Sequence, residues 1–204
     1  MAPSGALTKM VARQAHGFSN EKRIIEEHNL IDVSKTEGYT SKWDAIAPEA
    51  LILGTQRRVT DVPTSIKTIC HGNSVDMGDV FRHAKNTEDF ILQVDFYVGS
   101  KKDLDIVESH KIYIDSQTWA TLFKFDHYDY LRDCVRKITN HENDDPKWRN
   151  MMKKMHDLWE KPKRIVHLAP KRDHKKQQRV QCTIPNKKFY NQLLPLFPKV
   201  EYAK

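Results

Sequence analysis

Two apolar segments that follow each other closely in the chain restrict its fold most strongly. Residues 90–98 (FILQVDFYV) and 106–114 (IVESHKIYI) are rich in β-branched and aromatic residues, and a polar connection over 99–105 joins them. This composition predicts two β-strands, and the short connection predicts that they pair as a hairpin. The fold therefore contains a sheet.

The segments around this hairpin predict further strands and several helices. A helix is expected from Ser19 or Asn20, either of which can cap it. Strands are expected over 39–46, 51–53 and 64–70, with a turn over 47–50, and Asp76 is expected to cap a short helix. Helices over most of 116–160 and a strand and helix over 180–197 complete the chain. This order predicts an α/β fold with a central mixed sheet flanked by helices.

Positive charge is concentrated in one segment of the chain. The net charge of the 204 residues is +7, but residues 161–188 alone contain ten lysines and arginines against one acid, Asp173. A segment of this kind is typical of proteins that contact phosphate. We therefore expect a core over 1–160 and a basic, DNA-contacting segment over 161–204 that packs on the same domain.

The cysteines and the apolar runs indicate the compartment. Cys70, Cys134 and Cys182 are an odd number without CxxC spacing, which argues against a disulfide framework and against a zinc site. No apolar run approaches the roughly 20 residues that cross a bilayer. Residues 1–10 lack a charged region followed by an apolar one, so no secretory signal peptide is expected. The expectation is a reducing, cytoplasmic location without membrane association.

Three polar residues on neighbouring predicted strands suggest a catalytic site. Ser65 and Lys67 are two residues apart and so project to one face of their strand, where Asp44 could approach from the adjacent strand. A carboxylate beside a lysine suits metal-assisted phosphodiester hydrolysis. Mg²⁺ takes oxygen ligands, and a lysine can orient the attacking water or offset charge on the phosphate.

An Asp on one strand, followed about twenty residues later by a strand with x-x-Lys, resembles the PD-(D/E)xK nuclease fold, to which most type II restriction endonucleases belong. The resemblance spans residues 21–98, less than half of the chain. Trp43 stands in the place of the motif's Pro, and Ser65 in the place of its second acidic ligand. The resemblance implies a restriction-endonuclease-like core and a Mg²⁺-dependent, sequence-specific endonuclease that cuts duplex DNA as a homodimer.

The missing acidic ligand has candidate replacements. One branch of restriction endonucleases has Ser or Cys at this position and supplies the carboxylate from the following helix. Asp76 and Asp79 lie nine and twelve residues after Lys67, and Asp79 is the preferred substitute. Glu21 resembles a further acidic residue that this fold often places on its first helix. The implied catalytic residues are thus Asp44, Lys67, Asp79 and Glu21, with Asp44, Asp79 and Asp76 as metal ligands.

The basic segment supplies candidate DNA contacts. Arg matches guanine and Gln matches adenine in bidentate fashion, so this segment is suited to a major groove. The candidates are Lys171, Arg172, Lys175, Lys176, Gln177, Gln178, Arg179, Lys187 and Lys188. Two alternatives remain open: a nucleic-acid-binding protein without activity on a related fold, and a structure-specific repair or recombination nuclease.

Overall fold

The computed structural model describes residues 19–33, 42–100, 103–139, 146–161, 163–170 and 179–203. The described chain divides into two compact units. The first contains the described residues up to 73 together with 89–114 and 197–203, and the second contains 74–88 and the described residues of 115–196. The boundary predicted at residue 160 therefore lies inside the second unit.

The first unit contains a six-stranded mixed sheet and helix α1 (19–27). The strands are β1 (Ile31–Asp32), β2 (Ala45–Ile52), β3 (Arg58–Cys70), β5 (Phe90–Ser100), β6 (Asp103–Ile114) and β9 (Val200–Tyr202). They follow the order β1-β2-β3-β5-β6, and β9 also pairs with β2. Only β3 and β5 are parallel; the other pairs are antiparallel. The predicted α/β class and the mixed sheet are confirmed.

The apolar residues of these elements form the core of the first unit. Ile24 and Ile25 of α1 pack with Ile66 of β3 and Ile91 of β5 in one buried cluster. Every residue of 90–96 is buried, because β5 lies between β3 and β6 in the sheet. The continuous apolar run is thus the sequence signature of an interior strand. Helix α1 lies against the sheet through this cluster.

Strand β2 corrects the predicted turn over 47–50. The strand runs unbroken through this segment from Ala45 to Ile52. Pro48 suggested a break because it lacks an N–H, but no pairing of β2 with β1, β3 or β9 includes it. The register of the β2–β3 pair would place Asp61 opposite Pro48, and Asp61 has φ of +52°. A strand tolerates proline where the ladder is irregular in this way.

The second unit contains a three-stranded antiparallel sheet and most of the helices. Its strands β4 (Val75–Asp79), β8 (Val180–Ile184) and β7 (His167–Pro170) follow the order β4-β8-β7. Its helices are α2 (Val80–Ala84), α3 (Ser116–Leu122), α4 (Tyr128–Thr139), α5 (Pro146–Glu160) and α6 (Asn186–Lys188), followed by a π-helical turn (Phe189–Leu193) and a 3-10 turn (Leu194–Leu196). The strand and helices predicted beyond residue 115 are confirmed.

None of the described helices is long and apolar enough to cross a membrane.

Candidate functional site

Asp44 lies in a bend immediately before β2, outside any strand and unlike the prediction of a strand over 39–46, and the neighbouring strand β3 holds it there. Its backbone N–H donates to the carbonyl oxygen of Thr64 at 3.0 Å. Its carboxylate oxygen Oδ2 accepts three hydrogen bonds, from the backbone N–H of Ile66 (2.6 Å), the Ser65 hydroxyl (3.2 Å) and Lys67 Nζ (3.4 Å). No described residue donates to Oδ1. One carboxylate oxygen is thus fixed by β3, and the other remains available to a ligand.

Lys67 is the cation of this cluster. Its side chain is 24% exposed and that of Asp44 is 27% exposed, so the pair is shielded from bulk water without being closed off from it. Ser65 beside it is buried. The two-residue spacing that predicted a shared face for Ser65 and Lys67 therefore brings both to Asp44.

Glu21 of α1 belongs electrostatically to the same cluster. Partial burial and, to a smaller extent, the negative charge of Asp44 raise the pKa of its carboxyl to about 7, while the positive charge of Lys67 opposes this increase. Asp32 adds a smaller increase. A glutamate that resists ionisation beside a second carboxylate is a site where a cation would relieve repulsion. The structure thus pairs Lys67 with Asp44, and the charges of both residues act on the carboxyl of Glu21.

The raised pKa of Glu21 predicts how stability depends on pH. The folded state keeps this proton up to about pH 7, whereas the unfolded chain loses it near 4.5, so the contribution of Glu21 is fully present below pH 4.5 and is lost as the pH rises through 7. Glu21→Gln should therefore unfold like the parent at pH 4 and be more stable at pH 8. Because Glu21 is partly exposed, we expect a gain of about 1–2 kcal/mol, below the roughly 3 kcal/mol of the full shift.

Urea unfolding of both proteins at pH 4 and pH 8 measures this difference. An equal stability difference at both pH values would show that Glu21 ionises normally and lies apart from the charges of Asp44 and Lys67.

A buried polar network adjoins the cluster, and the sequence patterns did not reveal it. Asp95 of β5 is 1% exposed. Its Oδ1 accepts from Ser109 Oγ (2.7 Å) and Gln93 Nε2 (3.1 Å), and its Oδ2 accepts from Asn20 Nδ2 of α1 (3.0 Å). The available signal was a charged residue inside the apolar run FILQVDFYV, since a buried carboxylate requires hydrogen-bond donors around it.

Asp76 and Asp79 lie in the second unit, each with a local partner. Asp79, and not Asp76, caps α2: its Oδ1 accepts from the backbone N–H of Phe81 at 3.3 Å. Burial raises the pKa of Asp79, against the effect of hydrogen bonds from the backbone of Phe81 and Val180. Asp76 is a strand residue that accepts from Gly78 N (2.9 Å) and from Gln181. The predicted helix start at Asp76 is wrong because β4 extends to Asp79 to pair with β8.

Whether the cluster could hold a metal ion depends on its carboxylates. Within the described part of the chain, no three His, Cys, Asp or Glu side chains are grouped so that they could hold a metal ion. Glu21 and Asp44 nevertheless offer the hard oxygen donors that Mg²⁺ prefers. This cation commonly uses one or two carboxylates and completes its shell with water and substrate phosphate. In the type of donor atom, the two residues fit Mg²⁺ in that mode.

Most of the predicted DNA contacts lie outside the described residues. Those are Lys171, Arg172, Lys175, Lys176, Gln177 and Gln178. Of the other three, Lys187 is exposed. Lys188 Nζ lies 2.6 Å from His167 Nε2 and donates to the carbonyl oxygen of Arg164. Arg179 Nε is buried and has no hydrogen-bond partner among the described residues. Lys187 is therefore the most exposed of these three, and Lys188 and Arg179 are half-buried.

A cleft of about 580 Å³ lies within the second unit and contains none of the four predicted catalytic residues. Lys124, Lys163 and Arg164 line it around Phe125. Arg164 is used structurally, since its guanidinium donates to the carbonyl oxygens of Trp159 (2.8 Å) and Lys124 (2.7 Å). The candidate chemistry therefore lies in the first unit and not in this cleft.

No protein-family model, curated protein or solved structure matches the chain. The case for a function therefore depends on the Glu21, Asp44 and Lys67 cluster and on the charge of the C-terminal segment.

Proposed function

We propose that the protein is a Mg²⁺-dependent endonuclease that hydrolyses phosphodiester bonds of duplex DNA. One observation carries the proposal. Lys67 Nζ lies 3.4 Å from Asp44 Oδ2, and the carboxyl of Glu21 responds to both of these charges. A lysine paired with one carboxylate, with both charges acting on a second carboxyl, supports a metal-dependent phosphodiester site.

Each residue of the cluster has a distinct part in the proposed reaction. Asp44 and Glu21 would hold Mg²⁺, with Asp44 using the oxygen that β3 leaves unpaired. When bound, the cation supplies positive charge to the phosphate and acidifies a coordinated water. The ammonium of Lys67 orients the attacking water and offsets negative charge on the phosphate. The backbone N–H of Ile66 keeps the Asp44 carboxylate in place through this change of charge.

Ser65 stands where the nuclease motif has its second acid, so another residue must supply that carboxylate. Glu21 is favoured here, because its pKa responds to the charges of Asp44 and Lys67. Asp79 and Asp76 remain the alternative, in which the helix after the strand provides it. Mutation of each acid in turn distinguishes which of the three supplies the carboxylate.

DNA is the proposed substrate because positive charge is concentrated in one segment of the chain. The segment 161–188 concentrates the excess of positive charge in a chain whose remaining residues are slightly acidic overall. Its lysines and arginines would neutralise phosphates, and Gln177, Gln178 and Arg179 would contact base edges. Sequence-specific cleavage by a symmetric homodimer, as in type II restriction enzymes, extends this proposal.

Incubation with supercoiled plasmid tests the proposed activity. Discrete fragments in Mg²⁺, and none in EDTA, are expected of a sequence-specific nuclease. A gel shift in EDTA without cleavage in Mg²⁺ would favour a nucleic-acid-binding protein without activity. Cleavage restricted to branched DNA would favour a structure-specific repair or recombination enzyme.

The basic segment should determine how DNA affinity depends on salt. Each neutralised phosphate lowers log K by roughly 0.9 per log unit of salt. Replacing Lys171, Arg172, Lys175 and Lys176 with Gln should therefore reduce the slope by up to about 3–4, as measured by fluorescence anisotropy between 50 and 200 mM salt. The matched control replaces Lys153 and Lys154, which are exposed on α5. Equal slopes for the parent and the fourfold variant would show that this segment does not contact phosphate.

A further inference from the structure

The buried network beside the candidate site links the two elements that carry Glu21 and Lys67. We propose that Asp95 is a positioning residue which, through Asn20, fixes Glu21 of α1 relative to Lys67 and Asp44. The catalytic part of this inference rests on the proposed nuclease function, but the positioning itself concerns only the geometry of the cluster.

The side chain of Asn20 is fully engaged. It is 5% exposed, and its Nδ2 donates to Thr68 Oγ1 at 2.9 Å and to Asp95 Oδ2 at 3.0 Å. Its Oδ1 accepts from Arg23 Nε (3.1 Å) and Nη2 (2.9 Å). Asn20 precedes Glu21 in the chain, and Thr68 follows Lys67. The hydrogen bond from Asn20 to Thr68 therefore joins the sequence neighbours of Glu21 and Lys67.

Asp95 connects this contact to the sheet. It is the register partner of Thr68 in the parallel β3–β5 pair. Its Oδ1 is occupied from the sheet by Ser109 and Gln93, and its Oδ2 is occupied from the helix by Asn20, with Arg23 Nη2 at 3.5 Å. One carboxylate thus divides its two oxygens between the sheet and the helix.

Because Asp95 is buried, its hydrogen bonds discriminate between alternative registers of α1 on the sheet. A buried carboxylate that loses a donor is left with an unsatisfied charged oxygen, which is far more costly than the loss of an exposed hydrogen bond. A helix turns by about 100° per residue, so a slip of one position would carry Asn20 away from Asp95 and leave Oδ2 without this donor. An apolar contact would tolerate such a slip. The network therefore selects one register of α1 on the sheet, and with it the position of Glu21, the residue after Asn20.

Two alanine variants that each remove one hydrogen bond to Asp95 test the inference. Asn20→Ala removes the donor on the helix side, and Ser109→Ala removes one on the sheet side. If Asp95 positions α1, Asn20→Ala should lower kcat for Mg²⁺-dependent cleavage by about 10–100-fold, as expected for a displaced ligand. Ser109→Ala should stay within about threefold of the parent. An equal loss in both variants would indicate only general destabilisation and would overturn the inference.

A second readout separates this inference from the proposed function. At pH 9, where the carboxyl of Glu21 is ionised, its ¹³C chemical shift should change in Asn20→Ala and stay unchanged in Ser109→Ala. This holds whether or not the parent cleaves DNA, so an inactive parent would refute only the nuclease proposal. An unchanged Glu21 signal in Asn20→Ala would refute the positioning role. If Asn20→Ala does not fold, Asn20→Leu removes the same donor to Asp95 with a smaller loss of side-chain volume and takes its place in both measurements.

Discussion

Replacing Lys67 with methionine should lower Mg²⁺-dependent cleavage of plasmid DNA by about 10²–10⁴-fold, the range expected when a group that assists proton transfer or balances charge is lost. Methionine keeps most of the length of the side chain and removes the ammonium that lies 3.4 Å from Asp44 Oδ2. Asp44→Asn should cause a loss of similar size, because an amide is a poor ligand for a hard cation. Initial rates on supercoiled plasmid at saturating Mg²⁺ measure both effects.

Lys22→Ala is the matched control for the loss of a positive charge. Lys22 follows Glu21 on α1, its side chain is 76% exposed, and its ion pair with Glu26 spans one helical turn. Exposed pairs of this kind contribute little to stability, so this variant should cleave like the parent. Near-parental cleavage by Lys67→Met, with circular dichroism showing that the variant is folded, would place the active site elsewhere.

Glu21→Gln should abolish Mg²⁺-dependent cleavage, whereas Asp79→Asn should preserve it. The carboxyl of Glu21 responds to the charges of Asp44 and Lys67, so its loss removes one of two proposed oxygen ligands for Mg²⁺. Asp79 instead caps α2 through the N–H of Phe81. Asparagine caps helices as well as aspartate does, so Asp79→Asn should unfold within about 0.5 kcal/mol of the parent. Cleavage rates and binding in Ca²⁺ separate catalysis from DNA affinity.

The opposite result would identify Asp79 as the second metal ligand. If Asp79→Asn is inactive and Glu21→Gln cleaves normally, the second ligand has moved to the helix after the strand, as in the branch of restriction endonucleases with Ser at the position of Ser65. Ser65→Glu should then restore part of the activity, since it places a carboxylate on the same strand face as Lys67. Asp76→Asn tests the remaining acid in the same way.

The core of the candidate site could be predicted because it depends on local rules. Alternation along β3 places Ser65 and Lys67 on one face, and the pairing of neighbouring strands brings Asp44 to them. Glu21 was expected from a resemblance, and it lies in α1, where Asn20 is itself helical and donates to Thr68 and Asp95 in place of the predicted cap. The strand across Pro48 was missed, because whether a proline ends a strand depends on which positions of the ladder it would have to pair.

The α/β class, the strand that carries Ser65 and Lys67, and the segment that concentrates positive charge could all be inferred from the sequence. These follow from periodicity and composition, which act over a few residues. The tertiary structure alone decided that Asp79 is a helix cap, that β8 lies between β4 and β7, and that Asp95 finds its donors on α1 and β6. The reason is physical: a buried carboxylate or a sheet edge is satisfied by whichever group the fold brings within about 3 Å, and that group is often distant in the chain.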